Sequence, residues 1–262
     1  MKMLSRIEKK IQRPFAKIIA RLFSGDLIER LAVGLLLRVY DSKFNNDWIY
    51  SKAAPHFYNQ RIGVSRFAFG TQKLGARSFN RGFFVSQVIQ EGDRLLDIGC
   101  GGGFFTRRFY AGKCKQIDAI DIEPSAILAA QKYNNAEYIK YQIMDATTQP
   151  FPNSIYDIIV WDGAIGHFPP MAIDGMLNKI IANLSKKGVF VGSESVGEEG
   201  DDHLTRFETL EDFGKLFHQY FKFVQLYAEK YKLNDNFIRH EAYWRCSNSP
   251  IRIKESNWID FD

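Results

Sequence analysis

Cysteine is scarce in this chain. Cys100, Cys114 and Cys246 are the only three in 262 residues, too few and too scattered for a disulfide framework or a zinc cluster. That scarcity points to a reducing, cytoplasmic compartment. Long apolar runs are missing too. The longest free of proline and charge, Leu31–Leu37, is closed by Arg30 and Arg38 and falls far short of the ~20 residues that span a bilayer. No small-residue cleavage site follows it, so neither a membrane-spanning nor a secreted protein is expected. Internal repeats and low-complexity stretches are also absent. What remains is 45% apolar and 25% charged, the balance of a globular protein somewhat longer than one typical domain.

Acidic residues are rare at the front. Residues 1–90 hold 16 Lys and Arg against 5 Asp and Glu, a balance of +11, whereas the other 172 residues carry −6. Such a basic front either meets a negative surface or substrate, or is a solvated helix face. Leu4, Ile7, Ile11, Phe15, Ile18 and Leu22 recur at helical spacing, with Lys2, Arg6, Lys9, Lys10, Arg13, Lys17 and Arg21 around them. Pro14 should kink or break this helix. A strip of this kind can lie among anionic headgroups through residues 1–24, or dock on the rest of the chain as a lid. A second helical stretch is predicted over 26–40. Residues 41–84 hold Phe44, Trp48, Tyr50, Phe57, Tyr58, Phe67 and Phe69 without a clean period, which reads as a lid or connection.

From about residue 86 the pattern changes. Short apolar strands are predicted at Leu95–Ile98, Ile117–Ile120, Tyr138–Met144, Ile158–Trp161 and Val189–Ser193, and helices at Thr106–Ala111, Pro124–Tyr133 and Met171–Leu184. Thr209, ahead of Glu211 and Asp212, caps a further helix. Phe221–Lys232 and Ile238–Ser247 read as a closing pair of strands. The alternation predicts an α/β fold: a doubly wound, mostly parallel, seven-stranded sheet with a helical N-terminal extension. Boundaries are expected at 1–85 for the extension, 86–250 for the sheet domain and 251–262 for a tail.

The most informative stretch is Leu95-Leu96-Asp97-Ile98-Gly99-Cys100-Gly101-Gly102-Gly103. A buried strand ends at an acid, and a glycine-rich turn opens toward a helix, so backbone amides can approach a ligand closely. The glycines do not fall in the G-x-G-x-x-G spacing, and Asp97 would repel a pyrophosphate. No Gly-Lys-Ser/Thr follows, which excludes the Walker phosphate cradle. A cationic ligand would welcome Asp97. Asp121, in Ile120-Asp121-Ile122-Glu123-Pro124, ends the second strand, where an acid can accept both hydroxyls of a ribose. Glu123 competes with it, but it precedes a helix-opening proline and also suits a first-turn acid. Asp145, in Met144-Asp145-Ala146, ends the third strand and suits either an exocyclic adenine amine or a turn.

Together Asp97–Gly103, Asp121, Asp145 and Tyr156-Asp157-Ile158-Ile159-Val160 resemble the successive motifs of class I S-adenosylmethionine-dependent methyltransferases, over roughly residues 86–247. Asn183–Val189 resembles the turn before their fifth strand. The resemblance implies S-adenosylmethionine as cofactor and a Rossmann-like methyltransferase fold. Asp97 with Gly99, Cys100, Gly101 and Gly103 would hold its methionine part. Asp121 with Ile122 would hold the ribose, and Asp145 with Ala146 the adenine. Trp161-Asp162-Gly163-Ala164-Ile165-Gly166-His167-Phe168 is similar to the corresponding loop of bacterial small-molecule methyltransferases of undefined substrate.

Ligands in such sheets bind at the carboxyl ends of the strands, so Trp161 is expected to line the cofactor site. His167 is the best-placed base, since histidine changes charge near neutral pH; its other reading is a packed histidine. No metal is expected, because Asp162 lacks a companion acid–amide pair after the fifth strand and Glu194 is the only carboxylate nearby. The Asn/Asp-Pro-Pro-aromatic sequence that grips a flipped base is missing after Val160. Neither Cys100 nor Cys246 is placed as a covalent nucleophile. The function expected is methyl transfer to a small-molecule, lipid or saccharide acceptor. An RNA substrate, served by Arg61, Arg66, Lys73, Arg77 and Arg81 between Phe67, Phe69 and Phe79, is the alternative. A cofactor-binding regulator without catalysis is the third reading.

Overall fold

The computed structural model describes residues 31, 32, 34, 35, 79–197, 203–234 and 237–253. The amphipathic helix expected in residues 1–24 and most of the 26–40 stretch lie outside the described residues, as do most of the 41–84 connection and residues 254–262. Within 26–40, residues 31, 32, 34 and 35 are helical.

Seven strands form one sheet: β1 (Arg94–Ile98), β2 (Gln116–Asp121), β3 (Ile139–Ile143), β4 (Tyr156–Val160), β5 (Leu184–Ser195), β6 (Phe223–Asn234) and β7 (Phe237–Ser247). Their order is β3-β2-β1-β4-β5-β7-β6. Pairing is parallel throughout β3 to β5, while β7 runs antiparallel to both β5 and β6. The chain therefore leaves β1 in one direction along the sheet and returns to its other side at β4. In open α/β sheets a ligand crevice forms at such a reversal, outside the strands' carboxyl ends.

Apolar side chains cover both faces, as they must where helices pack on both sides of parallel strands. Leu95, Ile117, Val160, Val189 and Val191 share one face with Val85, Tyr110 and Ile127. On the other, Leu96, Ile98, Ile159, Trp161, Phe190 and Trp244 pack against Ile173, Phe213 and Phe217. The helices are α1 (Asn80–Ser86), α2 (Pro124–Tyr133), α3 (Pro170–Asn183) and α4 (Leu210–Phe217). Thr209 caps α4 through a reciprocal box with Asp212. In place of the helix expected at Thr106–Ala111 stands a single π-helical turn, Thr106–Tyr110.

Two local departures have physical causes. β5 begins at Leu184 rather than Val189: Leu184 pairs with Tyr156, and the ladder resumes two residues later in β4 at Ile158–Val189. Residues 185–188 loop out between the two pairings, with Lys186 and Lys187 exposed. Second, α1 lies inside the stretch assigned to the extension, yet it is docked on the sheet. Val85 is fully buried. Arg245 of β7 donates to the Phe84 carbonyl at 3.3 Å and to Gln87, and its guanidinium lies 4.0 Å from the centre of the Phe84 ring. No helix among the described residues is long and apolar enough to cross a membrane.

Candidate functional site

The glycine loop leaves β1 and passes over the end of β2. Gly99 and Cys100 both donate their amides to the Ile120 carbonyl, at 2.9 and 3.0 Å. Gly99, Gly101 and Gly103 take positive φ values of 72°, 53° and 71°, which side-chain-bearing residues adopt at a cost. At Gly103 space forbids a side chain as well: a Cβ would stand 2.5 Å from the Tyr141 hydroxyl. That hydroxyl is itself anchored on the Asn134 carbonyl at 3.0 Å.

Two buried carboxylates flank the loop. Asp97 accepts from Thr106 Oγ1 at 2.6 Å. Burial pushes its carboxyl up to about 7; Asp162 and Asp121 add to this, while the Thr106 hydrogen bond and Arg81 oppose it. Asp121 accepts from the Gly101 amide at 2.8 Å and the Glu123 amide at 2.9 Å. Burial again dominates, and with Glu123 nearby it brings this carboxyl to about 6 against those amide hydrogen bonds and that of Ile122. Beside it, Glu123 caps α2: its Oε1 accepts from Ser125 N at 3.1 Å and Ser125 Oγ at 2.7 Å. Its Oε2 is buried without a partner. A buried acceptor lacking a donor is costly, and a ligand hydroxyl would satisfy it. Cys100 lines the loop as a neutral thiol, since burial raises its pKa well above the usual range.

Asp145 and Ala146 follow β3, at the same edge. The Asp145 side chain is used in a turn, accepting from Thr147 N at 2.9 Å and Thr147 Oγ1 at 2.6 Å. Those bonds outweigh partial burial and hold the group below its ordinary pKa. Lys179 of α3 donates to the Ala146 carbonyl at 2.7 Å. Trp161 is elsewhere. Expected beside the cofactor, its side chain is fully buried in the core, with its ring 4.7 Å from Phe168 and edge-on to it. The alternation of β4 sets this: Ile159 and Trp161 point to one face, Val160 to the other.

Beyond β4 the loop 161–168 faces the glycine loop, close enough that a Cβ on Gly99 would lie 2.6 Å from the Ala164 Cβ. Two polar groups gather here, one on each face of the sheet. On the α1 face, Arg81 Nε donates to Asp162 at 3.1 and 3.3 Å and lies 3.9 Å from Glu241. Ser193 Oγ bridges the two acids, at 2.6 Å from Asp162 and 3.3 Å from Glu241. Burial opposes the guanidinium's charge, but the two acids outweigh it and hold Arg81 firmly protonated. On the other face are Glu194, His203 and His167. The sequence reading missed Arg81, Glu241 and His203 as partners of this edge; they come from residues far apart in the chain. Among the described residues no three His, Cys, Asp or Glu side chains gather in a way that could hold a metal ion.

The donor set suits a ligand with a positive end, hydroxyls and an extended body laid across β1 and β2. Residues 95–188 match the methyltransferase domain family. The carboxy-S-adenosyl-L-methionine synthase of Dichelobacter nodosus is 25% identical over 123 residues, covering 46% of this chain and 52% of that protein. The ribosomal RNA large subunit methyltransferase E of Brachyspira hyodysenteriae is 25% identical over 167 residues, covering 62% of this chain and 81% of that one. The chain spans about half the length of several of the curated relatives it matches. Among solved structures, the N-methyltransferase NodS of Bradyrhizobium japonicum with S-adenosyl-L-homocysteine superposes with a TM-score of 0.55 at 16% identity, over 73% of this chain and 98% of that one. The YcgJ protein of Bacillus subtilis gives 0.53 at 15% identity, over 64% and 97%. Residues 95–188 are thus similar to methyltransferase domains, and the seven-stranded sheet built around them has the Rossmann-like fold of solved methyltransferase structures.

Proposed function

We propose that the protein transfers a methyl group from S-adenosylmethionine to a small-molecule, lipid or saccharide acceptor. One observation carries the reading: the glycine loop runs between Asp97 and Asp121, with the orphaned Glu123 oxygen beside them. Asp97 and the loop of Gly99, Cys100, Gly101 and Gly103 hold the methionine part. Asp121, Ile122 and Glu123 serve the ribose, and Asp145 and Ala146 flank the adenine. The bound cofactor supplies an electrophilic methyl carbon on a sulfonium. The protein's task is then alignment, and proton removal where the acceptor requires it. His167, in the loop after β4, is the proton acceptor. Trp161 holds that loop from below through its packing on Phe168 and plays no part in binding. The malonyl-[acyl-carrier protein] O-methyltransferase of Serratia marcescens, 27% identical over 114 residues, is one relative named for a small malonyl group, there carried on a protein.

RNA is a second reading, favoured by the ribosomal RNA relative and by the cations of residues 1–90. Arg81 is lost to it, because its guanidinium is spent on Asp162 and Glu241. The deciding experiment incubates the full chain with methyl-labelled S-adenosylmethionine and extract from the source cells, counting small-molecule, lipid, glycan, RNA and protein fractions separately. Label in the lipid, glycan or small-molecule fraction is expected. Label in RNA alone would replace the first reading with the second, and tight cofactor binding without any transfer would leave a non-catalytic binding protein. Peripheral contact with anionic membranes through residues 1–24, in the cytoplasm, belongs to the same proposal. Flotation with anionic vesicles at low salt, and its loss when 1–24 are deleted, checks it.

A further inference from the structure

The second polar group at the carboxyl edge joins three side chains that come together only in the folded chain. Glu194 is the penultimate residue of β5 and only 2% exposed. Its Oε2 accepts from the Gly166 amide at 3.0 Å, and its Oε1 from Ser195 N at 2.9 Å and Ser195 Oγ at 3.1 Å. His203 Nε2 lies 3.5 Å from the same Oε1, and the His203 side chain is 7% exposed. Burial disfavours the charged carboxylate, but the hydrogen bond and charge of His203, with the two amides, hold Glu194 ionised, down at about 2.

The other side of His203 meets His167. The ring centres stand 4.5 Å apart with 41° between the planes. Backbone hydrogen bonds fix the two segments together. Leu204 N and Thr205 N both donate to the Gly166 carbonyl, at 2.8 and 2.9 Å, and Thr205 Oγ1 donates to the Phe168 carbonyl at 2.6 Å. Gly166 permits the approach: a Cβ there would stand 2.3 Å from His203 Cδ2. His203 is thus clamped between a buried carboxylate and the ring of the residue proposed as the proton acceptor. Among the described residues, the charged groups placed around this cluster include Glu194 on this face, and Arg81 with its partners Asp162 and Glu241 on the other; Glu194 is close enough to act on Arg81 through the sheet edge.

We propose that His203, held by Glu194, is the positioning residue of this site: it seats the His167 ring at the carboxyl edge so that His167 takes the proton of an acceptor hydroxyl or ammonium. This rests on the methyl-transfer reading above. In the step it serves, the acceptor's lone pair, which on an ammonium is freed first by loss of the proton to His167, forms the bond to the methyl carbon. The carbon–sulfur pair stays with sulfur, which leaves as a neutral thioether, and the acceptor proton passes to a His167 ring nitrogen. Glu194 makes the arrangement directional. Because it accepts at Nε2, it selects the tautomer of His203 that carries its proton there.

The test uses the full chain with nitrogen-labelled histidine, so that long-range proton–nitrogen spectra report each ring's tautomer and titration. Neutral His203 is expected to carry its proton on Nε2. Its midpoint should fall by about 1–3 units in Glu194→Gln, since an ionised partner favours the imidazolium. His203→Gln, which keeps a donor near Nε2, should retain most of kcat toward the labelled fraction, whereas His203→Ala should lose about 10²-fold with KM for S-adenosylmethionine unchanged. A His203 proton on Nδ1, a midpoint untouched by Glu194→Gln, or full kcat in His203→Ala would overturn the proposal. Thermal melting of each variant guards against loss of fold. Calorimetry with S-adenosylmethionine separates the two claims: a wild-type chain that does not bind it defeats the methyl-transfer reading, while the tautomer and titration still decide the pairing of Glu194 with His203.

Discussion

Asp97 sets how cofactor affinity should change with pH. Its carboxyl stands at about 7, chiefly through burial; in the proposed reading it meets the ligand's ammonium, and only the carboxylate form attracts that charge. At pH 5.5 about 3% of such a group is ionised and at pH 7.0 about half, so affinity should rise roughly 15-fold over that interval, or about 1.6 kcal/mol. The ligand's own amino group, with a pKa near 8, stays protonated across the window and does not blur the comparison. Asp121, at about 6, goes from about a quarter to about nine-tenths ionised and adds up to about fourfold where its charge matters. Glu194, held at about 2, is ionised throughout and adds nothing. Isothermal calorimetry at the two pH values measures the ratio, and repeating it in buffers of different ionisation enthalpy counts the protons released. Asp97→Asn should bind more weakly at pH 7.0 and lose most of the slope. Affinity that is flat or falls from pH 5.5 to 7.0 would refute the role assigned to Asp97.

The same carboxyl bears on stability. Its folded pKa exceeds the unfolded value, so the folded state binds more protons between pH 4 and 7, and the ligand-free protein should lose stability as pH rises through that range. Melting curves of wild type should show that decline, and Asp97→Asn should flatten it. Arg81→Met would leave Asp162 and Glu241 buried without their cation and should cost about 3 kcal/mol of stability, read from urea unfolding. Gly103→Ala puts a side chain at positive φ and against Tyr141; it should cost about 1–2 kcal/mol and weaken cofactor binding measurably by calorimetry. Trp161→Phe should lower the melting temperature while leaving cofactor affinity within about twofold, since the ring lies in the core.

Most strands and the glycine loop were legible because their signals are local: apolar runs that end at acids, and glycines where the backbone turns through positive φ. The faces of those strands were not. Ile158-Ile159-Val160-Trp161 is buried on both sides, and a run without polar alternation does not say which side chain points where. Trp161 was therefore expected at the ligand, though its side chain is fully buried in the core. Asp145 carried two readings, and its bonds to Thr147 show the turn-forming one in use. Glu123 was weighed as a first-turn acid; it stands one position earlier, as the N-cap that accepts from Ser125, and its second oxygen, buried and unsatisfied, was visible only in three dimensions. His203 and Glu241 left no trace in the pattern, because their meaning comes from loops and strands that approach across 30 residues or more. Helix α1 has no side-chain cap and spans only two turns, so nothing marked it off from the basic connection before it.

Arg81 also bears on where the catalytic unit can be cut. The stretch that matches the methyltransferase domain family starts at Leu95, and a trimmed protein or a graft onto another scaffold would naturally begin there or a few residues earlier. Such a piece would keep every strand and the whole glycine loop. It would also expose the face that α1 covers and strip the counter-charge from two acids at the mouth of the site. A portable unit therefore has to include α1. Whether this edge stays electrically balanced is thus decided by a single guanidinium that lies outside the matched stretch.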